Sequence, residues 1–213
     1  MTRTRVKICG LTTAADRDAA IAAGADAVGF ITEVPVETAR ELEVSTVATL
    51  ARDVPPFVTS VLVTMPETVD AAVELQGRVD ADAVQIHGGL APADIEELGE
   101  RVDASLVVAV DNQQPDVLAY AAAADVLLVD STTDSGAGGT GQTHDWEATR
   151  EIAENTDTPL MLAGGLTPAN VREAIETVSP FAVDTASGVE ETEGEKDREA
   201  VRNFIERATG VEP

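Results

Sequence analysis

Reactive and polar side chains in this 213-residue chain collect at the ends of short apolar runs. Arg5-Val6-Lys7-Ile8 leads into Cys9-Gly10, and Ala83-Val84-Gln85-Ile86 ends on His87-Gly88. Val126-Leu127-Leu128-Val129 ends on Asp130-Ser131. Leu160-Met161-Leu162-Ala163 opens into Gly164-Gly165, and the last run carries Asp184 shortly before Ser187-Gly188. Cys9 is the only cysteine. As a thiolate it is a competent base, and Lys7 shares its face of an extended strand, where an ammonium favours the ionised sulfur. A lone cysteine also serves as a small buried hydrophobe. Asp130, partly desolvated at the mouth of a fold, would have a raised pKa and act as a general acid. The same carboxylate suits a helix cap or a loop anchor.

The elements that must hold these groups follow from periodicity. Eight dense Val/Ile/Leu runs (residues 5–9, 27–31, 57–63, 83–87, 106–110, 126–130, 160–163 and 181–185) show little alternation with polar residues. Strands buried on both faces of a parallel sheet read that way. Helical stretches separate them, at residues 14–23, 44–52, 68–78, 91–101, 115–123, 146–154, 168–177 and 196–208; Thr167 before Pro168 and Asn170 is a start signal. Eight strand–helix units in so short a chain predict one compact (β/α)8 TIM barrel over residues 1–213, with a doubly wound open sheet as the alternative. In such a barrel the carboxyl ends of the strands carry function. Polar or reactive residues close five of the eight runs. No sequence repeat beyond the strand–helix alternation is evident.

The barrel gives the glycines a purpose. Gly164-Gly165 and Ser187-Gly188 follow strands seven and eight, where backbone amides commonly cradle phosphate; tight turns are the plain alternative. The longest loop, residues 131–145, follows strand six. Its stretch Gly136-Ala137-Gly138-Gly139-Thr140-Gly141 matches G-x-G-x-x-G literally but does not sit directly in a strand-to-helix turn. It also approaches a Walker A loop, with Gln142 where the phosphate-binding lysine belongs. Neither nucleotide reading survives. With two His, one Cys and no HExxH, no metal site is expected.

Composition narrows the class. An apolar share of 44% and a charged share of 25% suit an ordinary globular domain. Fourteen Lys+Arg against 39 Asp+Glu give a formal charge of −25, which disfavours nucleic-acid and membrane-surface partners. There is no signal-peptide core and no apolar run of membrane-spanning length, so a cytoplasmic location is expected. One cysteine excludes an internal disulfide framework. Lysine occurs only at Lys7 and Lys196. The acids are scattered, with Glu96, Glu97, Glu100 and the series Glu190, Glu191, Glu193, Glu195 read as coats on helix faces. That pattern predicts adaptation to a salt-rich cytoplasm, with a merely acidic protein as the alternative.

These residues, in this order, resemble the phosphoribosylanthranilate isomerase family of tryptophan biosynthesis. The matching blocks are Lys7-Ile8-Cys9-Gly10-Leu11-Thr12, Gly24-Ala25-Asp26 with Gly29-Phe30, Gln85-Ile86-His87-Gly88, and Asp130-Ser131 with Gly138–Gly141 and Asp145-Trp146. They continue with Ala163-Gly164-Gly165-Leu166 and with Asp184, Ser187-Gly188-Val189-Glu190, Gly194 and Lys196-Asp197. The resemblance implies a barrel that needs no cofactor and takes a small phosphorylated substrate through an Amadori rearrangement. By the same resemblance Cys9 matches the general base and Asp130 the general acid. Arg40 lies where the family's Ser-Pro-Arg arginine meets the anthranilate carboxylate, although Thr38-Ala39 replaces Ser-Pro here. His87, Gly164, Gly165, Asp184, Ser187 and Gly188 complete the expected substrate-binding set. Ala186 replaces a common serine, and Gln142 stands where a lysine is often found. Two rivals stay open. The related sugar isomerase of histidine biosynthesis normally pairs two aspartates, one at the end of the first strand, where this chain has Cys9. A non-catalytic phosphate-binding barrel would need neither acid nor base.

The charge of −25 generates the first expected outcome. Like charges oppose compaction until salt screens them, and near 1 M the Debye length is about 3 Å. Far-UV circular dichroism and activity should therefore rise together with KCl and level off in the molar range. A chain fully folded and active in dilute buffer overturns the salt-adaptation reading.

Overall fold

The computed structural model describes residues 3–130 and 146–210. Eight parallel strands close into a barrel in chain order: β1 (Arg5–Ile8), β2 (Ala27–Ile31), β3 (Thr59–Thr64), β4 (Ala83–His87), β5 (Ser105–Asp111), β6 (Val126–Asp130), β7 (Leu160–Leu162) and β8 (Ala182–Thr185). Helices α1 (Ala14–Ala22), α2 (Val44–Arg52), α3 (Val69–Val79), α4 (Pro92–Arg101), α5 (Val117–Ala123), α6 (Trp146–Glu154), α7 (Val171–Val178) and α8 (Arg198–Thr209) alternate with them. The seam is closed by β1 against β8, with Lys7 opposite Asp184.

The continuous apolar runs have two destinations. Val6, Ile8, Leu62, Val84, Val108 and Leu127 pack outward with helix residues such as Leu50, Leu98 and Phe204. Their neighbours Val61, Val63, Ala83, Val107, Ala109 and Leu128 form a separate cluster within the barrel, together with Cys9. Strand side chains alternate, so each run serves both layers and has no polar face.

A carboxylate device recurs at the amino-terminal end of the barrel. Asp26, Asp82 and Asp125 precede β2, β4 and β6 in the strings Ala25-Asp26-Ala27-Val28, Ala81-Asp82-Ala83-Val84 and Ala124-Asp125-Val126-Leu127. Each accepts from a backbone N–H of the preceding strand at 2.8 Å: Val6, Ser60 and Leu106 respectively. Charge-assisted bonds of this kind stabilise by on the order of 1 kcal/mol each. The chain therefore does contain a short internal repeat, set by pairs of strands.

Boundaries shift where local geometry overrides apolar content. The third strand starts at Thr59 rather than residue 57, because Phe57 is fully exposed at φ +75° in the turn after Pro55-Pro56. The eighth starts at Ala182, and the Phe181 ring lies under the Arg5 guanidinium, 4.3 Å from the ring centroid. Helix α7 starts at Val171: Asn170 Oδ1 accepts from Thr167 N (2.8 Å) and its Nδ2 donates to Gly165 O (3.0 Å), shaping the turn instead of extending the helix. Residues 190–196 are not a helix face. They form a hairpin, β9 (Glu190–Thr192) and β10 (Glu195–Lys196), and α8 begins only after Asp197, whose side chain accepts from Glu199 N and Ala200 N. The loop 131–145, with Ser131, the glycine-rich stretch, Gln142 and Asp145, lies outside the described residues. Among the described residues no helix is long and apolar enough to cross a membrane.

Candidate active site

One cavity at the carboxyl ends of the strands is lined by all nine residues expected from the sequence: Cys9, Arg40, His87, Asp130, Gly164, Gly165, Asp184, Ser187 and Gly188. Cys9 follows β1, His87 and Asp130 end β4 and β6, and Gly164-Gly165 follow β7 with both residues at positive φ (+83° and +65°). Such conformations are open to glycine and strained for most other residues. Ser187 and Gly188 lie in a short 3-10 turn after β8. Gly188 is required for another reason: a Cβ there would sit 1.9 Å from Leu166 O. Apolar groups including Ile31, Val34, Val63 and Met65 line the same cavity.

The floor is charged and dry. Lys7 Nζ donates to Asp184 Oδ1 at 3.0 Å, with Lys7 buried completely. Burial works against the Lys7 ammonium, but Asp184 and Cys9 outweigh it and lift its pKa. Gly29 makes room for this group, since a Cβ there would lie 2.9 Å from Cys9 Sγ and 3.2 Å from Lys7 Cε. The expectation that Lys7 favours the Cys9 thiolate holds for its direction and fails for the net effect. Burial pushes the thiol up, and the opposing pull of Lys7 does not cancel it. His87 is held below its usual range, first by burial and then by Lys7, which favours the neutral imidazole.

Arg40 enters from the β2–α2 loop and crosses directly over Gly10, where a Cβ would meet its Cδ at 2.8 Å. Its guanidinium is gripped by Glu190 through Nε–Oε1 at 2.9 Å and Nη2–Oε2 at 2.7 Å. Lys196 donates to Glu190 as well, at 2.6 Å, and to Ala186 O at 2.9 Å. Burial alone would raise the Glu190 carboxyl, yet the bonds from Arg40 and Lys196 hold it below the usual range. Sequence reasoning missed Glu190 and Lys196 as members of the site. Their signal was the scarcity of lysine, since a chain with two lysines keeps both buried in ion pairs here. Gln85, two residues before the end of β4, has no function assigned from the sequence. It lines the cavity with a buried Oε1 that has no hydrogen-bond partner among the described residues, an acceptor a ligand hydroxyl would satisfy.

A family model described as N-(5'phosphoribosyl)anthranilate (PRA) isomerase matches residues 6–207. The chain belongs to this family. A protein of Haloarcula marismortui named N-(5'-phosphoribosyl)anthranilate isomerase is 56% identical over 205 residues, covering 96% of each chain. One of the same name from Halobacterium salinarum is 56% identical over 211 residues, covering 98% of this chain and 97% of the other. The crystal structure of phosphoribosyl anthranilate isomerase from Thermotoga maritima superposes with a TM-score of 0.85 at 34% identity, covering 98% of this chain and all of the other. A further isomerase structure holds reduced 1-(o-carboxyphenylamino)-1-deoxyribulose 5-phosphate; its TM-score is 0.83 at 32% identity over 98% of this chain and all of the other. The family's PRA isomerase relatives include several from salt-loving archaea, in keeping with the acidic surface of this member.

Thiol chemistry checks the electrostatics of this family member's floor. Cys9 should titrate above the ordinary thiol value near 9, followed by thiolate absorbance in the far ultraviolet. The folded state then holds the Cys9 proton more tightly than the unfolded chain. Thermal stability should accordingly fall as pH rises through that alkaline range, and Lys7, also raised, acts in the same direction. Titration at or below 9 would show that Lys7 outweighs burial.

Proposed function

We propose that this chain converts N-(5'-phosphoribosyl)anthranilate to 1-(2-carboxyphenylamino)-1-deoxyribulose 5-phosphate, with Asp130 as general acid and Cys9 as general base. The carrying observation is that a thiol and a carboxyl from separate strands, β1 and β6, open into one cavity with amide-rich turns and an arginine at its rim. We read residues 1–213 as one cytoplasmic barrel domain whose partner is the small phosphorylated substrate, with no nucleic acid or membrane.

In the reaction, Asp130 gives its proton to the furanose ring oxygen and the C1'–O bond opens to a Schiff base. Cys9, having released its thiol proton to solvent, removes the C2' proton as thiolate, leaving an enolamine. The enolamine gains a proton at C1', loses the 2'-hydroxyl proton and becomes the ketone. No electron leaves the substrate, so the sequence of steps needs no redox cofactor. The buried thiol fits this order. Ring opening places a cationic imine carbon one bond from C2', so positive charge arrives next to the base when it must be ionised, and a cation within about 4–6 Å favours the thiolate. Gly164, Gly165, Ser187 and Gly188 supply amides for the phosphate, Arg40 meets the anthranilate carboxylate, and the apolar wall takes the aromatic ring. His87 and Asp184 face the ribose, Asp184 chiefly through its hold on Lys7. The histidine-pathway rearrangement is the less suited reading, because Cys9 stands where that chemistry uses an aspartate.

A fluorescence assay of freshly made phosphoribosylanthranilate in molar KCl tests the assignment. Cys9→Ser and Asp130→Asn should each lower kcat by about 100-fold or more while KM changes far less. Near-normal turnover in either variant removes that residue from its step.

The phosphate site is tested separately. Gly165→Asp places a carboxylate among the amides at a φ of +65°, which aspartate tolerates better than most residues. Substrate KM should rise about tenfold or more through repulsion of the dianion. Normal binding by the folded variant would put the phosphate elsewhere. Gly188→Asp is the poorer test, since any Cβ there strikes the Leu166 carbonyl before charge matters.

A further inference from the structure

Two carboxylates hold Arg40, and they hold it unequally. Glu190 is buried, with its side chain 5% exposed, and makes the two short bonds already described. Glu193, at the turn of the β9–β10 hairpin, is 55% exposed and lies 3.4 Å from Nη1. Its Oε1 also accepts from Thr38 Oγ1 at 2.9 Å and from the Ala39 backbone N–H at 3.3 Å. Three donors from consecutive residues thus converge on one carboxylate oxygen at the cavity rim, where Thr38, Arg40 and Glu193 are all lining residues. The Ala39 donor exists because this residue is not proline. The Thr38-Ala39 departure from the Ser-Pro pattern completes a carboxylate receptor.

We propose that Glu193 is the resting occupant of this receptor, and that the anthranilate carboxylate displaces it while Glu190 keeps Arg40 in place. The proposal rests on the reading of Arg40 as the substrate-carboxylate contact. Exchange is inexpensive on the Glu193 side, because a half-exposed pair at that distance contributes little, whereas breaking the buried two-bond Glu190 pair would strand a charge. The backbone need not open. Gly194 O accepts from Thr12 Oγ1 at 2.7 Å, and Gly194 is packed so closely on Ala39 that a Cβ would lie 2.9 Å from Ala39 O. The turn stays in place and only the Glu193 side chain swings out. Glu193 is then a built-in competitor that weakens binding of carboxylated ligands specifically.

Calorimetric titration in molar KCl tests this with two probes: reduced 1-(o-carboxyphenylamino)-1-deoxyribulose 5-phosphate, and its phenylamino counterpart lacking the carboxylate. Glu193→Ala should tighten the carboxylated probe about two- to fivefold and leave the other unchanged. Glu193→Gln, which keeps the side-chain length, should shift affinity in the same direction. Unchanged or weaker binding of the carboxylated probe by both folded variants overturns the exchange. Arg40→Ala separates the two levels of inference. If it weakens both probes equally, the Arg40 reading fails and the exchange with it. If it weakens only the carboxylated probe while the Glu193 variants bind no tighter, the exchange alone fails.

Discussion

The buried Lys7–Asp184 pair sets the terms for the rest of the molecule. The two residues face each other across the β1–β8 seam, where backbone pairing from Arg5 to Ile8 closes the barrel, so the same seam places a full charge pair inside it. An ammonium and a carboxylate in so dry a place are tolerable only together; removal of either partner typically costs about 3–5 kcal/mol. The inner layer is cut to fit them. Gly29 is bare because both Lys7 and Cys9 occupy the space of its missing side chain. Burial lowers His87 first and the Lys7 charge adds to that effect, while at Cys9 Lys7 opposes the upward push of burial; Asp184 works against Lys7 at both groups. Closure of the fold and tuning of the site meet at the same seam.

A second buried lysine repeats the logic one layer up. Lys196 ties Glu190 to the Ala186 carbonyl, and Glu190 fixes Arg40 over Gly10. Loops from the two sides of the seam are thereby locked together by a cation–carboxylate–cation chain. A surface stripped of lysine accounts for the composition, and the two that remain occur where a compact ammonium must fit between buried oxygens.

Much of this was legible in the sequence because the barrel imposes simple rules. Dense Val/Ile/Leu runs identified strands buried on both faces, and residues at or just beyond their carboxyl ends identified eight of the nine expected cavity positions; Arg40, in the β2–α2 loop, came only from the family resemblance. Three things were not legible, each for a physical reason. The hairpin that carries Glu190 and Glu193 read as a charged helix coat, because charge patterning does not distinguish a solvated face from a buried network. The net direction of the Cys9 shift depends on desolvation, which spacing along a strand does not reveal. The Ala-Asp repeats before β2, β4 and β6 were visible in the string but meaningless until the barrel brought each carboxylate onto the preceding strand.

An acidic protein that handles an anionic substrate faces an evident conflict, and the charge count at the site resolves it. Lys7, Lys196 and Arg40 are each held by carboxylates (Asp184, Glu190 and Glu193), and Glu37 and Asp130 line the cavity as well, so the described mouth offers no net attraction to a phosphate or carboxylate. In molar salt long-range attraction would be lost anyway, because screening leaves only interactions at contact distance. Recognition must then come from directional donors at short range: backbone amides in the glycine turns, and an arginine whose fork is already aimed by Glu190. Exchange of Glu193 for the substrate carboxylate follows the same principle. One carboxylate replaces another against the same three donors, and the balance of charge around Arg40 is unchanged when the ligand enters.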